Sequence, residues 1–283
     1  MIYNYYHTIC GLSFQTVSPL PVRQDRETEL FKCGPRNPDF RILLEPVAEI
    51  PTHKEKNCGI AGDHCTWRRG NLIFRNTKDA FRPDPHMEIS YDVSDCRDIH
   101  VKIREEYWQW AASSKYFWPG VFLNMLLVHR RALMMHASCI GIHGQGILFS
   151  AASGTGKSTQ AELWRVCRGA EIINGDKAGI SIKDKVLVHG VPFSGSSGIS
   201  QNRTLPLSAI VLLSQEPENT IRKLGVMEAV PLICRNVFAD RTVQEEWSML
   251  VELLLDIAEQ VPVYSLACTP DERAVETLEK VLL

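Results

Sequence analysis

The sequence predicts an α/β chain in two parts, a β-rich N-terminal domain over residues 1–118 and an α/β domain over residues 119–283. Three observations predict it. Residues 1–104 carry short apolar or alternating runs broken by Pro, Gly, Asn and Asp, the punctuation of strands and turns. After Leu133, apolar runs of strand length alternate with stretches of helical period. The chain then ends in segments whose apolar residues recur at helical spacing. At 283 residues and 45% hydrophobic content it can bury a sizeable core, as one large domain or two ordinary ones.

In the N-terminal part the strand candidates are residues 9–14, 40–44, 72–74 and 100–103. Residues 46–70 have little periodic apolar signal and many turn formers, and read as a long, partly mobile excursion. Tyr107, Trp108, Trp110, Tyr116, Phe117 and Trp118 crowd together, and Phe122, Met125, Leu126 and His129 follow at helical spacing. This cluster reads first as a domain interface, with an aromatic binding shelf as the alternative. Residues 134–142 and 146–151 are apolar runs joined by His143, Gly144 and Gln145, a hairpin signal. A helix follows over 160–166, then a short strand over 171–174 that ends at Gly175 and Asp176. Residues 180–182 and 186–188 flank Lys183, Asp184 and Lys185 as a second hairpin, and 210–213 gives a further buried strand. The remainder reads as helices over 227–238 and 243–259 and a last one from Pro270. Thr269 is the expected N-cap of that last helix and Glu272 completes a capping box.

Between the run ending at Ala151 and the helix after it lie Ser153, Gly154, Thr155, Gly156, Lys157, Ser158 and Thr159. A strand, a glycine-rich loop and a helix in that order are what a phosphate-binding loop needs. Gly154 and Gly156 let successive backbone N–H groups turn inward around phosphate oxygens, Lys157 reaches the β and γ phosphates, and the Ser158 hydroxyl suits Mg²⁺. The full pattern opens on Gly, and here that position is Ala151, which is harmless only if its φ stays negative. Asp176, at the end of the next short strand, is placed to meet Mg²⁺ or accept a proton. The Gly- and Ser-rich stretch 190–203 ends in Arg203, a cation that such a loop could swing to transition-state charge.

Residues 136–159, followed by Ile172, Ile173, Asn174, Gly175 and Asp176, resemble the catalytic domain of bacterial HPr kinase/phosphorylase and its relatives. Those relatives include small kinases that phosphorylate a precursor peptide in lasso-peptide pathways. The resemblance covers residues 130–283 and is close over 133–176. It implies a P-loop-containing fold shared with phosphoenolpyruvate carboxykinase, and phosphoryl transfer from a nucleotide to a hydroxyl. It implies that His136 lies beside the transferred phosphate, that Lys157 and Ser158 make the phosphate and metal contacts, and that Asp176 is the second of two adjacent aspartates. The first of that pair, similar to the family's proton acceptor, is Gly175 here. Without it the proton must pass to Asp176 or His136, which a dissociative transfer tolerates.

A net charge of −2 gives no electrostatic footprint for nucleic acid or an acidic membrane. No apolar run approaches the ~18 residues of a membrane span, and residues 1–7 are too polar and aromatic for a signal peptide, so the expected setting is cytoplasmic. The nine cysteines include no Cys-x-x-Cys pair, which suits a reducing compartment. His53, Cys58, His64 and Cys65 have metal-ligand chemistry at a spacing that matches no paired-knuckle pattern, and read as loop and core residues. The expected activity is an ATP- and Mg²⁺-dependent kinase acting on a Ser or Thr hydroxyl of a peptide, protein or small molecule. The alternative is a non-catalytic ATP-binding regulatory module. The N-terminal part is expected to recognise the acceptor, and a homo-oligomer stays open.

Overall fold

The structure, a computed structural model, describes residues 1–51, 53, 56–61, 64–78 and 84–282. It divides into two compact units, Met1–Arg130 with Ala239–Met249, and Arg131–Phe238 with Leu250–Leu283. Residues 119–130, which the sequence pattern places in the second part, thus lie in the first unit, where residues 239–249 join them.

The first unit is built on an eight-stranded sheet ordered β1-β2-β3-β8-β7-β6-β5-β4. Its strands are β1 (Tyr3–Ile9), β2 (Leu12–Ser18), β3 (Phe40–Val47), β4 (Lys56–Ala61), β5 (His64–Arg69), β6 (Leu72–Lys78), β7 (Pro85–Asp92) and β8 (Asp98–Arg104). The expected single run over 9–14 is in fact a hairpin turn, because Cys10 and Gly11 take φ of 54° and 72° and reverse the chain. The expected excursion over 46–70 contains β4 and β5, apart from residues 52, 54, 55, 62 and 63, which lie outside the described residues. Its alternation is hidden in sequence by Arg68 and Arg69, although Cys65 and Thr66 are buried. Short helices α1 (Arg26–Glu29), α2 (Trp108–Ala111), α3 (Ser114–Gly120) and α4 (Leu123–Val128) complete this unit. The aromatic cluster is core here: Trp118 is buried edge-on to His7 and Phe14, while Trp110 and Tyr116 stay partly exposed. Residues 239–249 belong to this unit through a buried charge network. The guanidinium of Arg75 donates to Glu246 Oε2 at 2.5 Å, and Tyr91 and His129 engage Oε1. Burial alone would raise the Glu246 carboxyl, but the Arg75 charge and the hydrogen bonds from His129, Tyr91 and Arg75 together outweigh it and hold the group below its ordinary value.

The second unit holds β9 (Ala132–Ile142), β10 (Gln145–Ser150), α5 (Lys157–Arg168), β11 (Glu171–Asn174), β12 (Lys177–Ile182), β13 (Val186–His189), β14 (Thr204–Gln215), β15 (Thr220–Lys223), α6 (Val226–Cys234), part of α7 (Gln244–Gln260), β16 (Val263–Cys268) and α8 (Glu272–Leu282). The division between the units cuts α7 after Met249. The β9–β10 hairpin closes on His143 and Gly144 with φ of 49° and 74°, the left-handed pair a two-residue turn requires. The pairings β10–β9, β9–β12, β12–β13, β13–β14 and β14–β10 form a closed circuit. Because β10, β14 and β16 run parallel, their carboxyl ends share one edge. One sheet face is covered by α5 and α8, where Trp164, Val275 and Leu278 pack with Phe149, Val211 and Leu266. That is the apolar stripe of each helix removed from water.

The expected all-helical C-terminal part is corrected by β15 and β16. Residues 263–268 extend the sheet parallel to β14, and their alternation is hidden because both faces are largely buried. The helix expected over 227–238 ends at Cys234. The last helix starts at Glu272, and its cap is Asp271, whose Oδ1 accepts the Arg273 N–H at 3.1 Å. Thr269 instead accepts from Asn219 Nδ2 and donates to Asp271. Among the described residues no helix is long and apolar enough to cross a membrane.

Candidate active site

The segment from Ser153 to Gly156 leaves the carboxyl end of β10 and enters α5 at Lys157. Gly154 and Gly156 take φ of 80° and 110°, and a Cβ built on either would meet nothing within 4 Å. Glycine is therefore needed for the turn and leaves open space above the backbone. Ala151 is not among the residues with positive φ, so its methyl is tolerated. No side chain caps α5, whose first N–H groups face the loop. Lys157 is buried, and its Nζ donates to the carbonyls of Ala151 at 3.0 Å and Ala152 at 3.2 Å. Burial lowers its ammonium below the ordinary value, partly offset by the Asp176 carboxylate. Ser153, Ser158 and Thr159 are exposed, and Thr155 is half-buried.

His136 on β9 and Asp176 after β11 come together at this same edge. Nδ1 of His136 lies 3.1 Å from the Asp176 carbonyl and 3.5 Å from its Oδ1. A proton on Nδ1 suits both oxygens and leaves the Nε2 lone pair free. Burial, then the Lys157 charge, holds the imidazole below its ordinary range, so it is neutral near pH 7. Ser150 Oγ donates to the His136 carbonyl at 2.8 Å, tying the end of β10 to this pair. Asn174, wholly buried, fixes the turn that presents Asp176. Its Oδ1 accepts the N–H groups of Asp176 and Lys177, each at 3.1 Å, and its Nδ2 donates to the Val191 carbonyl at 2.8 Å.

The Gly- and Ser-rich stretch lies on this turn. Gly195, at φ 58°, sits so close that a Cβ there would come within 2.6 Å of the Asp176 Cβ. At Gly175 a Cβ would overlap Ser197 Oγ and Cβ. Ser197 therefore fills the volume that a side chain at position 175 would enter, and the loop and the glycine are matched. Its hydroxyl donates to the Ser194 carbonyl at 2.6 Å and accepts the Ile199 N–H at 3.2 Å.

Arg203 does not stand in this cluster. It pairs with Glu171 and precedes β14, whereas Ser150, the last residue before the loop region, pairs with Leu212 near the other end of that strand. Glu171 itself lies five residues before Asp176, roughly 17 Å along the chain at ~3.3 Å per residue. A further cation that lines the site is Arg235, just past α6, for which the sequence offers no motif. It borders a cavity with Ser150, Ala151 and Ala152, and another with His136, Asp176 and Lys177. On the far side of the loop a cavity of about 410 Å³ is lined by Thr155, Thr159, Gln160, Gln215 and Cys268. The metal-ligand types noted at His53, Cys58, His64 and Cys65 lie in the first unit, where Cys65 is buried and His64 meets Phe122 edge-on at 4.6 Å.

Residues 120–283 match the family described as SynChlorMet cassette protein ScmC. The chain is 26% identical over 156 residues to an HPr kinase/phosphorylase of Lactobacillus acidophilus, covering 48% of this chain and 48% of that protein. It thus spans about half the length of the curated relative it matches. The solved structure of the Hpr(Ser) kinase/phosphatase from Coxiella burnetii matches at a TM-score of 0.30 and 12% identity, over 52% of this chain and 94% of that one. With a family match over more than half its length and weak sequence homology to HPr kinase/phosphorylase, the chain belongs to the ScmC family of HPr kinase-like proteins.

Proposed function

We propose that this protein is an ATP-dependent kinase that passes the γ-phosphoryl group to the hydroxyl of a Ser or Thr residue or a small molecule. One observation carries the reading: the glycine loop with its buried Lys157 and the His136–Asp176 pair stand at one sheet edge. The open backbone above Gly154 and Gly156 fits the β and γ phosphates. Ser158 and Asp176 fit Mg²⁺, since this ion binds through one or two protein oxygens plus phosphates and water. Bound Mg²⁺ would neutralise developing charge on the phosphates.

In the proposed step the acceptor oxygen attacks the γ-phosphorus, a new O–P bond forms, and the bond to the bridging oxygen breaks to leave ADP. The acceptor proton passes to the Asp176 carboxylate, while neutral His136 fixes that carboxylate through Nδ1. Lys157 and Arg235 face the phosphoryl charge, the part first expected of Arg203. The first unit is proposed to hold the rest of the acceptor. Nine free cysteines agree with a reducing, cytoplasmic setting.

Lys157→Ala tests the reading by calorimetry with ATP·Mg²⁺ and by transfer of labelled phosphate to a panel of hydroxy amino acids, peptides and cell extract. Nucleotide binding equal to the parent's refutes it. A second reading, a regulatory module that binds ATP without turnover, is favoured by one observation, the packing of Ser197 over Gly175. ATP binding with no transfer to any acceptor in the panel would select it.

A further inference from the structure

The first unit carries a polar cavity of its own, on the sheet face turned away from its buried charge network. Asn76 on β6 pairs with Cys65 and Glu88, so these three side chains share one face, while Arg75, which reaches Glu246, points to the other. The segment that follows β3 covers part of the Asn76 face. There the ring of His53 packs against Trp67 at 5.0 Å and Phe74 at 4.7 Å, and its Nε2 meets the buried Glu88 carboxylate. A cavity of about 370 Å³ remains beside this ring, with Glu49, His53, Trp67, Asn76, Asp84 and Arg104 in its lining. Its size falls in the range of small-ligand sites.

Two buried atoms of the lining residues lack partners. Asn76 is only 3% exposed, yet its Oδ1 accepts no hydrogen bond among the described residues. The Nε–H of Arg104 is also buried and finds no acceptor among them, although the head of that guanidinium is held by Glu106 at 2.6 Å. An acceptor and a donor left open in this way cost stability unless something bound supplies their counterparts. The uncompensated charge is negative. Glu49 and Asp84 are exposed and neither has a cation partner among the described residues, whereas the charge of Arg104 is offset by Glu106.

A matching ligand therefore brings a donor for Asn76, an acceptor for Arg104 and a positive charge for the carboxylates. An ammonium is the first and the third at once, since it carries three donors and no acceptor. A carbonyl on the neighbouring carbon is the second. A lysine side chain has the ammonium without that carbonyl, and an acetylated chain end has the carbonyl without the charge.

We propose that this cavity binds an α-aminoacyl group, its ammonium taken by Asn76 Oδ1 with the carboxylates of Glu49 and Asp84, and its carbonyl by Arg104 Nε. Trp67 and the His53 ring offer its side chain an aromatic wall. A free amino acid and the N-terminal residue of a peptide share this chemistry.

The full-length protein, without nucleotide, is titrated in a calorimeter with L-phenylalanine, the amidated tripeptide Phe-Ala-Ala, the same tripeptide N-acetylated, and phenethylamine. L-phenylalanine or the free-amine tripeptide should bind about tenfold or more tightly than the last two probes, and whichever does so identifies the source. Asn76→Leu, close in size, should weaken that binding at least about tenfold. The second variant changes only exposed groups and leaves the fold in place: Glu49→Gln combined with Asp84→Asn should weaken binding at least about fivefold. The site is overturned if neither amino form binds, or if the acetylated tripeptide or phenethylamine binds as tightly. Parental affinity in the double variant or in folded Asn76→Leu overturns it as well. Nucleotide takes no part in these titrations, so failure of the kinase reading is distinct, appearing as ATP binding indifferent to Lys157→Ala.

Discussion

Gly175→Asp supplies, on paper, the first carboxylate of the pair that the resemblance implies, yet it should not bring proton-accepting chemistry with it. The new Cβ would overlap Ser197 Oγ and Cβ, so Ser197 must move. Moving it forfeits the bonds from Ser197 Oγ to the Ser194 carbonyl at 2.6 Å and from Ile199 N–H at 3.2 Å. Each is worth roughly 0.5–1.5 kcal/mol, and overpacking adds about 1–3 kcal/mol. The loop is partly exposed at Gly195 and Ser196 and can relax, which places the net cost in the lower half of that range, about 2–4 kcal/mol. Urea denaturation of Gly175→Asp, Ser197→Gly and the double variant forms a cycle. The double variant should recover at least about 1 kcal/mol relative to the sum of the singles, and any gain in transfer should appear only there. Parental stability of Gly175→Asp alone would refute the claim that the loop occupies this volume.

Asp176→Asn keeps the size of the side chain and removes its charge, so transfer should fall at least roughly 10²-fold while the circular dichroism spectrum holds. Arg235→Ala should lower transfer by at least about tenfold and Arg203→Ala by less than about twofold, in the same labelled-phosphate assay; the reverse order would reinstate Arg203. Burial pushes the His189 imidazole from 6.5 down to about 4. The unfolded chain then takes up a proton below its own pKa that the fold refuses, so this stabilisation is full above pH 6.5 and lost as pH falls toward 4. Urea titrations should show the second unit losing up to ~2 kcal/mol between pH 6.5 and 5, with a shallower slope in His189→Gln.

The parts of the site that are contiguous in sequence were legible there. A strand, two glycines, a lysine and a helix lie within one stretch, and the local φ demands of Gly154 and Gly156 follow from residue type. Asp176 was legible from its place at the end of the strand after the loop, but His136 only through resemblance, because their meeting depends on β9 pairing with β10 and β11. The place of Arg203 was not legible for the same reason. Sequence separation does not say at which end of a strand a residue stands, and β14 runs parallel to β10. Arg235 carries no local signal at all, since only the end of α6 brings it to the loop. The match of Gly175 to Ser197 joins residues whose neighbourhood exists only once the Asn174 amide holds Val191 in place.

A sheet is also a ruler. His136 stands on β9 and Asp176 follows β11, strands that are bonded neighbours, so the spacing of imidazole and carboxylate is graduated by the interstrand repeat of about 4.8 Å. The closed circuit through β9, β10, β12, β13 and β14 leaves that ruler little freedom to bend. Segments that hang from it, such as the glycine- and serine-rich stretch or the turn after α6, can then be lengthened or recomposed without altering the distance between imidazole and carboxylate. Changes confined to the pendant segments leave the measuring edge as it stands.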